Sequence, residues 1–480
     1  MQVHGPDNTS AIGRFIQGIG DVNSDSFADI AVSREIPPET MIFFGGNPPD
    51  TTQDMSYPHG ITLPAIDYNG DEINDLSIIR PTIGLSIYQG FGDSVSTAGL
   101  DSIPINVFKY GGAAYVNNDP YADFVLDWWR TSTDSDRVFY YESPFVNGTT
   151  PTWRYAIVHG MFDIRGLGFV DFNCDSVPDI FLGLWGDAST AGRVDIFYGP
   201  NYADLPDVSL SPPQTLDSID TKTFVESCVN IGDVNADGYA DLGVRYLLAG
   251  LIYLSKPGGG DTLPDLMLDR GSLSLSNAGD VNGDGFTDII SGSAGRSFNG
   301  SVDIYLGGPE LDSVSDAFVV KSDLVPVLQD QIGVSVGRAG DVDDDGREEV
   351  FFSSQNFFGG NPWDVWLMKG TPDIVTDVKI VKGDVLPKAF ELRQNYPNPF
   401  NPETTIEFSL AERAVVVLEI YNTLGQRVRT LVYETLNPGT YKTLWDGTDG
   451  NGSESPSGMY FYRLKSNGTT IASKKMILLK

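Results

Sequence analysis

The sequence predicts an all-β fold, a seven-bladed β-propeller followed by a small β-sandwich, and three observations support this prediction. The 53 glycines and 29 prolines of the 480 residues fall between short runs of β-branched and aromatic residues, a pattern typical of strands and turns. A nine-residue acidic motif recurs seven times over residues 1–382. Beyond residue 382 the motif stops, and alternating apolar runs of the kind found in small sandwiches follow.

The blades are predicted from the runs that flank each copy of the motif. In the first copy "AIGRFIQGIG" precedes the motif, "DIAVS" follows it, and the aromatic-rich run "MIFFGG" comes next. A fourth, less regular strand would complete a four-stranded sheet. The copies recur at roughly 45 to 60 residues, the period of a propeller blade. Because one such sheet cannot bury both of its faces, we expect the seven sheets to pack side by side in a ring.

The motif itself places oxygen-bearing side chains at relative positions 1, 3, 5 and 9. In "GDVNGDGFTDIISG" these are Asp280, Asn282, Asp284 and Asp288. Five further copies fill all four positions: Asp21, Asn23, Asp25 and Asp29; Asp67, Asn69, Asp71 and Asp75; Asp171, Asn173, Asp175 and Asp179; Asp233, Asn235, Asp237 and Asp241; Asp341, Asp343, Asp345 and Glu349. A seventh, weaker copy keeps Asn117, Asp119 and Asp123 but has Tyr115 at position 1.

These residue types in this order favour calcium. Calcium takes six to eight hard oxygen ligands, and alternate residues of a tight loop can point three of them at one centre. Position 7 would add a backbone carbonyl, and position 9 would close the shell from the next strand. An EF-hand does not fit, because it requires Glu at position 12 and flanking helices. The alternative is that these are ordinary Asp/Asn turns. The sequence predicts about six calcium sites with a structural role.

The stretches "QIGVSVGRAGDVDDDGREEV" and "DVWLMKG" resemble the FG-GAP repeat of integrin α-like propellers, and the resemblance covers roughly residues 10–382. It implies that each calcium loop joins the first and second strands of a blade. The sequence departs from the family pattern at Tyr115, at Pro120, and at the residues that replace glycine at position 6: Ser26, Glu72 and Ser176.

The C-terminal part is predicted to comprise a linker, residues 383–395, and a small domain, residues 396–480. "NYPNPFNPETTIEFSL", "IYNTLGQRVRTL", "SGMYFYRL" and "SKKMILLK" resemble the type A sorting domain of the type IX secretion system and the related FlgD-type immunoglobulin-like module. The resemblance implies a Gram-negative protein that is released or held at the cell surface, with the secretion machinery as a partner. "MQVHGPDNTSAIGRF" lacks the pattern of a signal peptide, so we expect a mature or incomplete N-terminus.

Composition and motifs exclude several classes of function. A net charge of −34 disfavours nucleic acid and anionic membranes as partners, and no apolar run is long enough to span a membrane. A disulfide between Cys174 and Cys228 stays open. Ser335 lies in a G-x-S-x-G match, but it precedes a calcium loop and not a helix, so we interpret it as a repeat residue. No catalytic residue is predicted.

Three functions remain after these exclusions. The first is a non-enzymatic binding or adhesion module outside the cell, with an extracellular protein or glycan as ligand. The second is a secreted carbohydrate-active enzyme, a lyase or hydrolase, with a cleft formed by the irregular segments 142–165, 200–222 and 308–330. The third is an architectural component of a surface assembly. The fold alone does not decide among them.

Overall fold

The computed structural model describes most of the chain. The described residues are 2–4, 12–35, 38–47, 49, 52–58, 60–80, 84–91, 94–95, 101–103, 110–117, 119–128, 137–143, 151–157, 162–186, 191–211, 224–246, 249–259, 262–268, 274–293, 300–309, 311–320, 330–356, 364–370, 379–380, 390–410, 414–436, 439–445, 447–448, 455–466 and 469–479. Within these ranges all regular structure is β-strand, which confirms the all-β prediction. No helix of the described residues could therefore cross a membrane.

Two compact units make up the chain, Met1–Ile374 and Val375–Lys480. The described part of the first unit contains seven four-stranded antiparallel sheets and one two-stranded ribbon, β9 (Gly90–Phe91) with β10 (Ser94–Val95). In chain order, sheet 1 is β2 (Ile12–Gly20), β3 (Asp29–Glu35), β4 (Pro38–Phe43) and β5 (Met55–Pro58); sheet 2 is β6 (Ile61–Thr62), β7 (Leu76–Arg80), β8 (Gly84–Tyr88) and β11 (Asp101–Ile103); sheet 3 is β12 (Gly111–Ala114), β13 (Asp123–Trp128), β14 (Arg137–Tyr141) and β15 (Trp153–Ala156).

The remaining four sheets follow the same order. Sheet 4 is β16 (Phe162–Val170), β17 (Asp179–Gly186), β18 (Arg193–Phe197) and β19 (Val208–Leu210); sheet 5 is β20 (Phe224–Gly232), β21 (Asp241–Tyr246), β22 (Ala249–Tyr253) and β23 (Leu266–Met267); sheet 6 is β24 (Ser274–Gly279), β25 (Asp288–Ser293), β26 (Ser301–Tyr305) and β27 (Ala317–Val320); sheet 7 is β28 (Asp330–Gly340), β29 (Glu349–Asn356), β30 (Asp364–Met368) and β1 (Gln2–His4). Sheet 7 thus takes its fourth strand from the other end of the unit.

Neighbouring sheets pack through shared apolar clusters. The last sheet packs against the first, because Ile16 and Val32 of sheet 1 lie in one buried cluster with Ala339, Phe351 and Val365 of sheet 7. Each of the other six consecutive pairs shares a cluster of the same kind. No helix of the described residues covers these sheets, so each sheet buries its apolar side chains against its two neighbours.

A glycine, Gly18, allows the first strands of sheets 1 and 7 to approach each other closely. A side chain at Gly18 would collide with the backbone carbonyl of Arg338 in β28. The glycine-rich first strands, which the sequence shows as "FIQGIG" and "VSVGRAG", therefore reflect a packing requirement. Both cysteines are free, Cys228 being buried and Cys174 partly buried.

The second unit is built from two four-stranded sheets. Its strands are β31 (Lys379–Ile380), β32 (Glu391–Leu392), β33 (Thr404–Leu410), β34 (Ala414–Asn422), β35 (Arg427–Leu436), β36 (Gly439–Trp445), β37 (Gly458–Ser466) and β38 (Thr469–Leu478). The sheet orders are β31-β36-β33-β32 and β35-β34-β37-β38, and one core cluster containing Trp445 and Tyr462 joins them.

Part of the segment predicted as a linker, residues 383–395, belongs to this unit. Glu391 and Leu392 pair with β33, and Lys379 and Ile380, which precede the predicted linker, pair with β36. The buried Tyr462 hydroxyl donates to the carbonyl of Arg393 and accepts the N–H of Asn395, both at 2.8 Å. The prolines around this segment led to the prediction of a linker. Its backbone hydrogen bonds instead make residues 391–395 part of the second unit.

Candidate metal centres

The acidic motifs form seven equivalent loops, each of which joins the first and second strands of one sheet. Loops 1 to 7 comprise residues 21–29, 67–75, 115–123, 171–179, 233–241, 280–288 and 341–349. In every sheet the loop enters the second strand at position 9, except in sheet 2, where Asp75 forms an isolated bridge with Ile66 just before the strand. The motifs therefore lie at the same end of all seven sheets.

The carboxylate at position 1 sets the path of the loop backbone. In loop 6 the two oxygens of Asp280 accept the N–H groups of Asp284 at 3.0 Å and of Gly285 at 2.7 Å. The other five loops with Asp at position 1 show the same pair of hydrogen bonds. Position 5 continues the pattern, since Asp284 accepts the N–H of Phe286 at 3.0 Å. These are Asp turns, as the alternative interpretation expected.

The six loops with an acid at position 1 also share two left-handed residues, at positions 4 and 6. The pairs are Ser24 and Ser26, Gly70 and Glu72, Cys174 and Ser176, Ala236 and Gly238, Gly283 and Gly285, and Asp344 and Gly346. The departures from glycine at position 6 therefore leave the loop path unchanged. They carry a conformational cost, since a non-glycine residue in this region costs on the order of 1–3 kcal/mol.

Loop 3 is built differently at its start. Tyr115 replaces the first carboxylate, and its hydroxyl donates to the backbone carbonyl of Asp67 in loop 2 at 3.2 Å. Proline at position 6, Pro120, is confined to negative φ and cannot take the left-handed conformation of the other loops. Loop 3 is thus tied to its neighbour through a phenol, and it lacks the position-1 carboxylate of the others.

Positions 3 and 5 bring further oxygens together. The Asn282 amide accepts the N–H of Asp284 at 3.0 Å and donates to Asp284 Oδ2 at 2.9 Å. The same exchange occurs in loops 1, 4 and 5. A carboxylate has about four lone-pair positions, so accepting N–H groups leaves capacity for a cation. The turn and the cation site are therefore compatible, and the donor set is the one that calcium prefers.

Position 9 has a structural role that the sequence did not indicate, in addition to the ligand role that it predicted. Asp288 is fully buried, and its two oxygens accept the N–H of Val281 at 3.0 Å and the N–H of Gly307, just after the third strand, at 2.8 Å. All seven loops repeat this arrangement through Asp29, Asp75, Asp123, Asp179, Asp241, Asp288 and Glu349. We name it the position-9 clamp, because it joins the loop to the end of the third strand.

The clamp also exists in loop 3, where the carboxylate at position 1 is missing. Asp123 accepts the N–H groups of Val116 and Ser143 and also the hydroxyl of Tyr140 at 3.1 Å. The signal for this role was present in the sequence, since the weak copy keeps the acid at position 9 while losing the one at position 1. An acid at position 9 that persists when the acid at position 1 is lost indicates a structural function of its own.

Burial dominates the electrostatics of the clamp. Burial and the charges of Asp284 and Asp280 raise the pKa of Asp288 to about 7, against the lowering effect of its two N–H donors. Burial likewise raises the pKa of Asp29, Asp179, Asp241 and Glu349 to about 7 and that of Asp75 to about 6. A cation beside positions 1 and 5 would oppose the repulsive part of this shift.

Loop 7 has three carboxylates instead of two carboxylates and an amide. Oxygens of Asp341, Asp343 and Asp345 lie within 4.8 Å of one another, and Asp343 Oδ1 is buried with no hydrogen-bond partner. Lys369 Nζ pairs with Asp343 Oδ2 and lies 2.8 Å from Asp345 Oδ2. Hydrogen bonding to this ammonium lowers the pKa of Asp345.

Ser335 lies inside strand β28, and its N–H donates to the hydroxyl of Ser353 at 3.2 Å. The residue is therefore part of a sheet and not of the strand-to-helix turn that a nucleophile of this motif requires. Of the segments predicted to form an enzymatic cleft, residues 144–150, 158–161, 212–222, 310 and 321–329 lie outside the described residues.

Two segments of the chain match models of known protein families. The model of the FG-GAP repeat matches residues 273–305, which contain loop 6, and the model of the FlgD Ig-like domain matches residues 399–469. A search of curated proteins gave no match. Among solved structures, one similar chain is PorZ, a bacterial surface component of the type IX secretion system of Porphyromonas gingivalis. It aligns with a TM-score of 0.38 at 12% identity, over 99% of this chain and 59% of PorZ, so this chain spans about three fifths of that protein's length.

Proposed function

We propose that the seven sheets of the first unit are the blades of a closed propeller, and that loops 1, 2, 4, 5 and 6 each hold a structural calcium ion. The observation that carries this proposal is the repetition of one loop backbone, with the same side-chain oxygens at positions 1, 3 and 5, at the same end of five sheets. Asp25, Asp71, Asp175, Asp237 and Asp284 at position 5 are all exposed, so a cation can reach them from solvent.

The function we propose for this propeller is ligand binding outside the cell, without catalysis. Calcium would make the loop ends of the sheets rigid, so that the segments at the opposite ends form a stable surface for an extracellular protein or glycan. The FG-GAP match at residues 273–305 supports this assignment at the level of the repeat. The acidic surface, with a net charge of −34, favours ligands that are neutral or positively charged over nucleic acid.

A binding and turnover screen tests this function. The full chain is applied to an array of glycans and matrix proteins in calcium and in chelator, and both retention and released products are measured. We expect retention of one ligand class that falls at least tenfold in chelator, without product. Release of a shortened or unsaturated glycan would contradict the proposal and place the protein among carbohydrate-active enzymes.

We further propose that the second unit directs secretion through a type IX-like system to the exterior of a Gram-negative cell. The FlgD Ig-like match at residues 399–469 and the resemblance of the flanking segments to a sorting domain support this part. The last strand, β38, contributes the buried side chains Met476 and Leu478 to the core of the unit, so the C-terminal residues belong to a folded domain.

Deletion of residues 390–480 tests the secretion proposal in a host that carries a type IX system. We expect the shortened protein to accumulate in the periplasm, with surface or medium levels at least tenfold below those of the full chain. The calcium-dependent melting of the retained protein serves as the control for folding. Normal export of the shortened protein would refute the assignment.

A further inference from the structure

Loop 7 differs from the five proposed calcium loops at three positions that face one another. Position 3 carries Asp343 where the others have asparagine, and position 7 carries Arg347. The residue just after the third strand is Lys369, whereas the equivalent residues in the calcium loops are Phe44, Gln89, Tyr198, Leu254 and Leu306. The extra acid and the two cations occur together in loop 7 and in none of those five loops.

Lys369 donates to the position-5 carboxylate in the way that the position-3 asparagine does in loops 1, 4, 5 and 6. In loop 6 the Asn282 amide donates to Asp284 Oδ2 at 2.9 Å. An aspartate at position 3 cannot donate this hydrogen bond, and the equivalent oxygen, Asp345 Oδ2, instead lies 2.8 Å from Lys369 Nζ. Asp343 and Lys369 together therefore replace one asparagine.

A second loop shows that a side chain from this position can reach the loop. In loop 2 the Gln89 Nε2 atom donates to Asp71 Oδ2 at 3.0 Å. Gln89 and Lys369 follow the third strands of their sheets, and both donate to the position-5 carboxylate. The approach of Lys369 is therefore a property of the blade geometry, and in loop 7 the donor carries a charge.

Arg347 adds a second positive charge to the same carboxylate. Its Nη2 atom lies 2.5 Å from Asp345 Oδ2, and its Nε donates to the carbonyl of Gly370 at 3.4 Å. Asp345 is accordingly half-buried, whereas the position-5 acids of the five calcium loops are exposed. A divalent cation entering loop 7 would meet two positive side chains at the oxygens it needs, and like charges at such distances repel strongly.

We propose that loop 7 is held by a built-in cation, the Lys369 ammonium assisted by Arg347, in place of calcium. The inference rests on the proposed calcium sites of loops 1, 2, 4, 5 and 6. Sheet 7 contains the N-terminal strand β1 and packs against sheet 1. A calcium-independent loop here keeps the closing sheet ordered at low calcium, while the other loops respond to the ion.

The test counts the calcium ions bound to the full chain at saturation, by equilibrium dialysis and elemental analysis. Asp284→Asn in loop 6 and Asp345→Asn in loop 7 are matched variants, because each keeps an oxygen that can accept the loop N–H. We expect Asp284→Asn to lose one ion and Asp345→Asn to lose none. The triple variant Asp343→Asn/Arg347→Phe/Lys369→Leu gives loop 7 the residues that loop 6 has at these three positions and is expected to gain one ion.

Hydrogen exchange gives a readout that does not depend on counting. In chelator we expect the amides of residues 283–286 to exchange at least tenfold faster than in calcium, and those of residues 344–347 to change less than twofold. Loss of one ion from Asp345→Asn, or calcium protection of residues 344–347, would overturn the inference. Failure of the calcium proposal would give a different result from failure of the loop 7 inference. Loop 6 would then bind no ion, and calcium would not slow the hydrogen exchange of its amides.

Discussion

Removal of calcium with a chelator is expected to lower the melting temperature of the first unit by roughly 20 °C. Each filled site stabilises the folded state by RT ln(1 + [L]/Kd), about 2.7 kcal/mol at a hundredfold excess of calcium over Kd. Five such sites would together contribute about as much as the whole free energy of unfolding of an ordinary domain, roughly 5–15 kcal/mol. Scanning calorimetry of the full chain in calcium and in chelator measures the effect.

The second unit provides an internal control for this experiment. Its described residues contain no loop of this type, so we expect its transition to occur at the same temperature in both buffers. Renewed addition of calcium should restore the transition of the first unit. A first unit that melts at the same temperature in calcium and in chelator would refute the calcium sites, and the loops would then be Asp turns that need no ion.

The repeat pattern predicted much of the first unit because each four-stranded sheet repeats the same local requirements. Strand β28 (Asp330–Gly340) coincides with the apolar run "QIGVSVGRAG", and β30 (Asp364–Met368) with "DVWLMKG". A motif that returns at a regular interval specifies both the strands that flank it and the side of the sheet on which it lies. Copies that recur in one chain thus supply information that a single sequence otherwise lacks.

Other features depend on contacts between distant residues and leave no periodic signal. The pairing of Gln2–His4 with Asp364–Trp366 joins segments at opposite ends of the unit, and three residues are too few to show a period. The clamp formed by Asp288 with Gly307 depends on a residue nineteen positions away. The pairing of Lys369 with Asp343 spans twenty-six positions. For the same reason, the sequence indicated position 9 only as a ligand and did not show that its carboxylate also joins the loop to the end of the third strand.

The position-9 clamp leads to the second prediction of large effect, which separates its structural role from calcium binding. Asp288→Ala removes the acceptor of the buried N–H of Val281 and of the partly buried N–H of Gly307. Leaving a buried donor unpaired costs about 1–3 kcal/mol, so we expect the free energy of unfolding to fall by roughly 3–5 kcal/mol. We expect this loss in calcium and in chelator alike, as measured by urea unfolding at a temperature where both forms are folded.

Two other variants complete the comparison. Asp284→Ala removes an exposed acid of the proposed calcium site, so its loss of stability should be present in calcium and largely vanish in chelator. Asp123→Ala removes the clamp of loop 3, where Tyr115 replaces the first carboxylate. It should lower the stability about as much as Asp288→Ala in chelator, because Val116 and Ser143 then lose their acceptor.

If the cost of Asp288→Ala disappeared in chelator together with that of Asp284→Ala, position 9 would act as a calcium ligand and the clamp would contribute little. A loss of stability from Asp288→Ala that persists in chelator would show that the same nine residues combine two functions. Positions 1, 3 and 5 would bind calcium, and the position-9 clamp would stabilise the loop without calcium.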